Sequence, residues 1–154
     1  MRLIRNGEKQ VIKKIDHIGI AVKNLEDALD MYKRVYGLEA IKIETHEDIK
    51  VKIAFIPIGE VLIELLEATE PGAGRIGQFL EEKGEGLHHI ALRVEDIKKA
   101  MAGFEKAHVK LRDKEPRDGG DGSKIAFIEP EFTQNTLTEL VERKQEVKRE
   151  VAGD

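Results

Sequence analysis

Two histidines and two glutamates stand at matching positions in two copies of one repeated pattern. The segment His17-Ile-Gly-Ile-Ala-Val22 returns 72 residues later as His89-Ile-Ala-Leu-Arg-Val94. Glu64, in the sequence Ile-Glu-Leu, has its counterpart 75 residues later in Glu139, in the sequence Thr-Glu-Leu. Imidazole nitrogens and carboxylate oxygens are ligands for divalent transition metals. The repeat therefore predicts one metal site, with His17 and Glu64 from the first copy and His89 and Glu139 from the second.

The surroundings of these residues favour a metal site over ordinary packing. Both glutamates lie in apolar segments, and burying a carboxylate without a partner costs several kcal/mol. A single strand histidine is usually an ordinary core or surface residue, and a single strand glutamate usually faces water. Polar residues duplicated at equivalent positions have no such packing reason. An octahedral Co, Mn, Ni, Fe or Zn ion with these ligands would keep positions open for substrate oxygens, as a Lewis-acid catalyst requires.

The elements that carry the first copy read as βαβββ. Residues 15–22 alternate apolar and small or polar side chains, the period of a strand. Asn24 is a plausible N-cap for a helix that Gly37 ends. Strand-like segments follow at about 38–45, 50–57 and 61–67. We expect this helix to cover the apolar face of a sheet.

The second copy repeats this order. It begins with a strand near Leu87, followed by a helix at about 96–107 and strands near 109–113, 123–129 and 136–142. Strand alternation turns His88 to the face opposite His89, and the first copy has Asp16 at the equivalent position. Residues 116–124 form a glycine-rich loop that lacks the order of a nucleotide-binding P-loop.

The predicted fold is therefore α+β: two tandem βαβββ modules that form a cupped, barrel-like mixed sheet with helices outside. The predicted boundaries are an N-terminal extension over 1–14, one domain over 15–142 and a charged C-terminal tail over 143–154. The domain comprises modules 15–67 and 87–142, joined by a connector over 68–86. We expect the tail to be a solvated helix end or a frayed terminus.

Composition limits the possible functions. The chain has 154 residues, of which 40% are hydrophobic and 36% charged, as in soluble globular proteins. No apolar run approaches the roughly 20 residues that span a bilayer. The net charge is −4 and the chain has no cysteine, so nothing predicts a nucleic-acid partner or disulfides. The N-terminus lacks the pattern of a secretory signal, and we expect a cytoplasmic protein.

Other polar residues are open to more than one interpretation. Lys52 and Lys124 begin identical Lys-Ile-Ala-Phe-Ile segments, and each is read equally well as a side chain in the cleft or as a solvated strand lysine. Arginines 75, 93 and 117 are possible anion contacts, and their spacing favours none of them. His46 and His108 have no repeated partner and are interpreted as surface or loop residues.

The sequence resembles the vicinal-oxygen-chelate superfamily and, within it, the methylmalonyl-CoA epimerase family, over roughly residues 15–142. The resemblance rests on Asp16-His-Ile-Gly-Ile-Ala-Val22, Gly84-Glu-Gly-Leu-His-His-Ile-Ala91, Lys124-Ile-Ala-Phe127 and the two Glu-Leu motifs. It implies paired modules around one divalent metal, with His17, His89 and Glu139 as ligands and Glu64 at a fourth position. It also implies an acyl-CoA substrate and a homodimer.

The reaction that the resemblance implies inverts C2 of methylmalonyl-CoA. The metal would chelate the thioester carbonyl and the free carboxylate, so that loss of the C2 proton gives an enediolate that is reprotonated on the other face. Some family members use a third-strand glutamate as one of the proton carriers, whereas Lys52 stands at that position here. Glu64 is the favoured substitute and Glu47 a weaker one, with Glu139 a further catalytic candidate and Lys124 a candidate substrate contact. Relatives usually carry His-Pro-Lys where this chain has Glu129-Pro-Glu131, so a phosphate contact at that position is not expected.

Three alternatives share this architecture. A glyoxalase I-like isomerase would use a similar His and Glu site on a different substrate. An extradiol-type dioxygenase would need Fe(II) or Mn(II) and oxygen. A metal-free small-molecule-binding module of the antibiotic-sequestering kind would lack the ligands, and the four polar positions argue against it.

Overall fold

Two central antiparallel strands, β1 (Ile12–Ala21) and β5 (Gly86–Val94), join two copies of the same unit. The computed structural model describes residues 10–148. In sequence order, these residues form β1, α1 (Leu25–Met31), β2 (Lys42–His46), β3 (Val51–Ile58), β4 (Val61–Ala68), α2 (Gly74–Lys83), β5, α3 (Ile97–Lys106), β6 (Arg117–Asp118), β7 (Lys124–Ile128) and β8 (Thr138–Glu142). The strands form one mixed sheet in the order β2-β3-β4-β1-β5-β8-β7-β6.

The sheet has the symmetry of a duplication. β1 pairs in parallel with β4, and β5 pairs in parallel with β8, so each half places its last strand beside its first. The eight strands curl into a half-barrel. This architecture confirms the predicted α+β fold with two tandem βαβββ modules.

The helices begin in the same way in both modules. The side chain of Asn24 accepts a hydrogen bond from Asp27 N at the start of α1, and that of Asp96 accepts one from Lys99 N at the start of α3. In each case a glutamate from the last strand accepts a further bond from the first helical N–H: Glu67 from Leu25 N and Glu142 from Ile97 N. Such caps satisfy donors that a helix leaves unpaired at its N-terminus.

The end of the first helix also follows the sequence pattern. A π-helical turn over Tyr32–Tyr36 continues α1 to Gly37, whose φ of 69° is the left-handed conformation that glycine adopts most easily. The strand expected at 109–113 is wrong, because only Leu111 forms an isolated bridge there, and the next strand is the two-residue β6.

Alternate residues of the strands pack on opposite faces of the sheet. On the outer face, Ala54 and Leu65 pack with α1 residues, and Ala126 and Leu140 pack with α3 residues. The inner face carries Ile53, Phe55 and Leu66 from the first module, together with Ile76 of α2. In the second module Ala91, Ile125, Phe127 and Val141 form the corresponding inner cluster. Helices α1 and α3 therefore cover the convex side, whereas α2 packs at the edge of the concave side, which forms a cavity.

The segment after β8 differs from the solvated end that we expected. Val147 is buried in the inner core of the first module, and the Arg143 side chain is 1% exposed. The predicted N-terminal extension lies largely in residues 1–9, and the end of the predicted tail in residues 149–154, outside the described residues. Within residues 10–148, no helix is long and apolar enough to cross a membrane.

Candidate metal and active site

Two β-bulges bring adjacent polar residues into the region where the modules meet. Along the β1–β5 ladder, Ile15 pairs with Leu92 and His17 with Ala91, so Asp16 is an extra residue in β1. Gly19 pairs with His89 and Ile20 with Leu87, so His88 is an extra residue in β5. A bulge breaks strand alternation and redirects a side chain. Asp16 and His88 occupy the same position of the repeat, 72 residues apart.

The bulge at His88 corrects the predicted orientation of this side chain. Alternation placed it on the face opposite His89, but it lines the same cavity and its Nδ1 lies 2.8 Å from His89 Nδ1. The bulge at Asp16 creates a contact that sequence reasoning missed. The one signal in the sequence was that Asp16 and His88 share a position of the repeat. Strand alternation alone placed both side chains away from the site.

The two predicted histidines meet edge to edge. His17 Nε2 lies 3.1 Å from His89 Nε2, and Glu139 places its carboxylate oxygens 3.3 Å from His17 Nε2 and 3.7 Å from His89 Nε2. All three side chains are buried. One donor atom from each lies within 4.8 Å of the others, close enough for three ligands of one ion. The structure therefore brings three of the four predicted ligands together.

Glu64, the fourth predicted ligand, lies on the other side of the His17 ring. Its Oε2 is 2.7 Å from His17 Nδ1 and makes no hydrogen bond of acceptable geometry among the described residues. The whole residue is 3% exposed. A buried carboxylate oxygen without a donor is rare because its desolvation is not compensated. Glu64 therefore lies close to the cluster, and its Oε2 is available to accept a proton or to bind a metal.

A buried ion network supports His17 from behind. Asp16 Oδ1 lies 2.6 Å from His17 Nδ1. The Asp16 carboxylate also accepts hydrogen bonds from Arg93 Nε at 2.7 Å and from Arg143 Nε at 2.9 Å and Nη2 at 3.0 Å. Burial raises the pKa of Asp16, but the hydrogen bonds from His17 and Arg143 outweigh burial and hold the pKa well below its ordinary value. Asp16 is therefore ionised throughout the physiological range.

The two central histidines have opposite electrostatics. Burial lowers the pKa of His17, but the nearby carboxylates of Glu64 and Glu139 outweigh burial and raise the pKa well above its ordinary value. Burial lowers the pKa of His89 to about 3; Glu139 opposes this shift, and the neighbouring His17 and His88 add to it. Burial and the charge of Arg112 lower the pKa of His88 to about 4. These surroundings favour the charged form of His17 and the neutral forms of His88 and His89.

Gly19 makes room for the second histidine ligand. A Cβ atom added at Gly19 would lie 2.2 Å from His89 Cε1 and 2.4 Å from His89 Nδ1. No real pair of carbon atoms approaches so closely without covalent bonding, so a side chain at position 19 would displace the His89 ring. The residue that faces His17 across the ladder is also small, since it is Ala91.

The cluster lies in an open cavity of about 920 Å³, counting its mouth. Aliphatic side chains and Phe127 form much of its wall, and Arg75 and Arg117 also line it. Arg117 pairs with Asp113 at 3.1 Å, whereas Arg75 has no carboxylate within 4 Å among the described residues. Burial and the charges of Arg112 and Arg117 lower the pKa of Arg75. The cavity therefore combines apolar walls with an unpaired guanidinium group.

Some predicted site residues lie outside this cavity. Lys52 and Lys124 are exposed and, within residues 10–148, are not among the cavity's lining residues; Lys124 pairs with Asp118. Each lysine precedes a residue that lines the cavity, so alternation directs it to the outer face. Glu47 is exposed in the turn after β2, between the lining residues His46 and Ile49. His46 was interpreted as an ordinary surface or loop residue, which is wrong, because it is half-buried in the cavity wall; His108 is exposed, as expected.

The donor set fits a divalent transition metal. Ligands at right angles, each about 2.1 Å from a metal, are separated by about 3 Å. The separation between His17 Nε2 and His89 Nε2 is 3.1 Å. Two imidazoles and a carboxylate suit Co, Mn, Ni, Fe or Zn. The unpartnered oxygen of Glu64 is a further donor beside the cluster.

Comparison with known proteins agrees with the fold. The family model described as Glyoxalase/Bleomycin resistance protein/Dioxygenase superfamily matches residues 16–127. The protein YqjC of Bacillus subtilis is 42% identical, over 86% of this chain and 94% of its own length. The ethylmalonyl-CoA/methylmalonyl-CoA epimerase of Cereibacter sphaeroides is 31% identical, over 84% of this chain and 98% of its own length.

A solved structure extends this likeness. A Streptomyces coelicolor methylmalonyl-CoA epimerase variant, in complex with 2-nitronate-propionyl-CoA, superposes with a TM-score of 0.83 at 34% identity, covering 89% of this chain and 99% of its own. The chain belongs to the glyoxalase/bleomycin resistance/dioxygenase superfamily. Within the superfamily, its relatives and structural neighbours include methylmalonyl-CoA epimerases, so the resemblance seen in the sequence is confirmed.

Proposed function

We propose that this protein is a metal-dependent methylmalonyl-CoA epimerase, which inverts C2 of the acyl group by removing and returning a proton. The observation that carries the proposal is the buried group His17, His89 and Glu139 beside the unpartnered oxygen of Glu64. The epimerase relatives at 25–34% identity support the same reaction.

We assign His17, His89 and Glu139 as the residues that hold a divalent metal. When bound, the metal supplies a positive charge that stabilises the negative charge developing on the thioester oxygen as the C2 proton leaves. Neutral His89 offers a nitrogen lone pair. His17 would give up its Nε2 proton to bind, and the negative charge of Asp16 at His17 Nδ1 would help to balance the positive charge of the metal.

Glu64 is the proton acceptor in this proposal. A general base must reach the proton that it removes and must be free to accept it. Among the described residues, Glu64 Oε2 has no hydrogen-bond donor of acceptable geometry, and Glu64 lines the cavity beside the ligands. The C2–H bond breaks, its electron pair moves toward the thioester carbonyl, and the proton goes to Glu64.

The inverted product requires a second proton carrier on the opposite face of C2. Glu139 and Glu47 are the two candidates in this chain. Glu139 is already in the cluster, whereas Glu47 would have to turn inward from the turn between His46 and Ile49. Arg75 lines the cavity and has no carboxylate within 4 Å in the described part of the chain, which supports an anionic substrate, since a guanidinium group pairs well with carboxylate or phosphate.

Hydrogen–deuterium exchange tests the proposal. Purified protein is loaded with Co or Mn and incubated with methylmalonyl-CoA in D2O, and proton NMR follows the C2 signal. We expect exchange well above the uncatalysed rate, loss of exchange after chelation and its return with metal. Exchange that is absent from the metal-loaded protein would contradict the epimerase assignment.

A parallel assay addresses the glyoxalase I alternative. The hemithioacetal of methylglyoxal and glutathione is offered to the same preparations, and formation of the thioester product is followed by absorbance. Epimerase activity predicts no turnover of this compound. Turnover here without exchange of methylmalonyl-CoA would assign the site to the alternative reaction.

A further inference from the structure

We propose that Asp16 is a positioning residue for the metal centre, and that Arg93 and Arg143 hold its carboxylate against His17 Nδ1. The His17 ring is thereby fixed with its Nδ1–H donated to Asp16 and its Nε2 directed at His89 and Glu139. The inference rests on the metal centre of the proposed function and adds a residue to it.

The contacts of Asp16 leave it little freedom. Each carboxylate oxygen receives two contacts: His17 Nδ1 and Arg143 Nη2 reach Oδ1, and Arg93 Nε and Arg143 Nε reach Oδ2. The Asp16 side chain is 0% exposed and that of Arg143 is 1% exposed. A two-pronged arginine contact fixes the plane of a carboxylate as well as its position. A fixed carboxylate plane in turn fixes the plane of the imidazole that donates to it.

Asp16 also determines what Glu64 can do. Asp16 Oδ1 and Glu64 Oε2 lie 2.6 Å and 2.7 Å from the same His17 Nδ1, and only the Asp16 contact has hydrogen-bond geometry. One N–H cannot serve two carboxylates equally. By taking this donor, Asp16 leaves Glu64 Oε2 unpartnered. Loss of the Asp16 charge would therefore let Glu64 take the donor and become a poorer proton acceptor.

The same network reaches the cavity wall. Arg143 Nη1 donates to the carbonyl oxygen of Gly120 at 3.0 Å, and Gly120 lines the cavity. Next to it, Asp121 N donates to Glu44 Oε2 of β2 at 3.1 Å. Arg143 thus connects the Asp16 carboxylate beside His17 to the loop at Gly120 and Asp121, which contacts both modules.

Within residues 10–148, the second module has no equivalent support. The matching bulge residue is His88, whose Nδ1 lies 2.8 Å from His89 Nδ1. A carboxylate beside a histidine ligand helps to stabilise a bound cation by its negative charge. An imidazole in the same place has no negative charge and does so less. The inference is therefore specific to Asp16, and His88 provides a control at the same position of the repeat.

Metal affinity provides the test. Co²⁺ dissociation constants are measured by competition with a chromophoric chelator for the wild type, Asp16→Asn and His88→Asn. Asn keeps the size of Asp and an acceptor oxygen but removes the charge. We expect Asp16→Asn to weaken binding about 10–100-fold, the usual effect of losing such a partner, and His88→Asn to have a clearly smaller effect.

A spectroscopic measurement separates positioning from general destabilisation. In the zinc-loaded protein, proton NMR is expected to show a low-field His17 Nδ1–H signal that is lost or moves upfield in Asp16→Asn and persists in His88→Asn. If Asp16→Asn does not fold, as a thermal melt would show, Arg143→Lys takes its place; it retains Asp16 but loosens its support, and should weaken binding in the same direction.

Two outcomes would overturn the inference. The first is a folded Asp16→Asn protein, or its Arg143→Lys substitute, with wild-type metal affinity and an unchanged Nδ1–H signal. The second is an equal loss of affinity in Asp16→Asn and His88→Asn. Neither readout uses turnover, so a protein that binds metal through Asp16-supported His17 but does not exchange the C2 proton would retain this inference and lose the proposed function.

Discussion

The two modules carry the same pair of ligand types but differ in what lies behind them. In the first, His17 contacts the buried carboxylate of Asp16 and lies beside Glu64. In the second, His89 contacts the neutral imidazole of His88 and lies beside Glu139. The histidines and glutamates of the two modules occupy equivalent positions of the sheet. The residue at the bulge differs between the modules and gives each histidine a different electrostatic environment. The difference shows how a duplicated unit can become an asymmetric site.

The largest expected difference is between the two repeated glutamates. Glu139→Gln removes a charged ligand, and we expect metal affinity to fall about 100-fold and C2 exchange about 10³-fold. Glu64→Gln should reduce exchange by about 10²-fold or more while leaving metal affinity nearly unchanged, because Glu64 lies on the Nδ1 side of His17. Metal titration and the D2O assay on both variants measure the two effects independently.

Equal losses of metal affinity in Glu64→Gln and Glu139→Gln would show that both glutamates ligate the ion. That result would restore the symmetric four-ligand site predicted from the sequence. Wild-type exchange in Glu64→Gln would instead remove Glu64 as the proton acceptor and favour Glu47 or Glu139.

A smaller but distinct effect is expected where β1 pairs with β5. Gly19→Ala should displace the His89 ring, because the added Cβ would lie 2.2 Å from His89 Cε1. We expect the variant to lose about 1–3 kcal/mol of stability and about 10²-fold in exchange rate. Chemical denaturation and the exchange assay provide the measurements.

Gly103→Ala is the matched control. Gly103 is exposed within α3, and an added Cβ there meets no atom within 4 Å. This substitution should retain activity and stabilise the protein by about 0.5–1 kcal/mol, because alanine is the better helix former. If both variants behaved alike, the close approach of Gly19 to His89 would not be what positions the second ligand.

The smallest effect is expected from the repeated lysines. Lys52→Ala and Lys124→Ala should each change kcat/KM by less than about twofold, because exposed residues away from a site rarely matter by more than about 0.5 kcal/mol. Arg75→Gln removes a cation from the cavity wall and should raise KM by about 10-fold. Steady-state kinetics on the three variants provides the comparison. A large loss in either lysine variant would mean that this strand residue acts on the site although its side chain lies outside the cavity.

Much of this protein follows from its sequence alone. The repeat, the alternation in β1 and β5 and the N-cap at Asn24 are local patterns, so they predicted two βαβββ modules and the identity of the four central side chains. Alternation within β7 also contained the information that Lys124 faces away from Ile125 and Phe127. To conclude that Lys124 lies outside the cavity, one must also know which side of β7 the helices cover, and the sequence left this open.

Tertiary structure decided the rest through strand register. The extra residues at Asp16 and His88 exist only relative to the strand that each pairs with, and no local pattern specifies where a ladder slips by one residue. The burial of Arg143 likewise depends on Asp16, which is 127 residues away in the sequence. The sequence by itself determined which groups are present and duplicated. The pairing of β1 with β5 determined which of them face each other, because contacts between distant segments form only when the whole sheet closes.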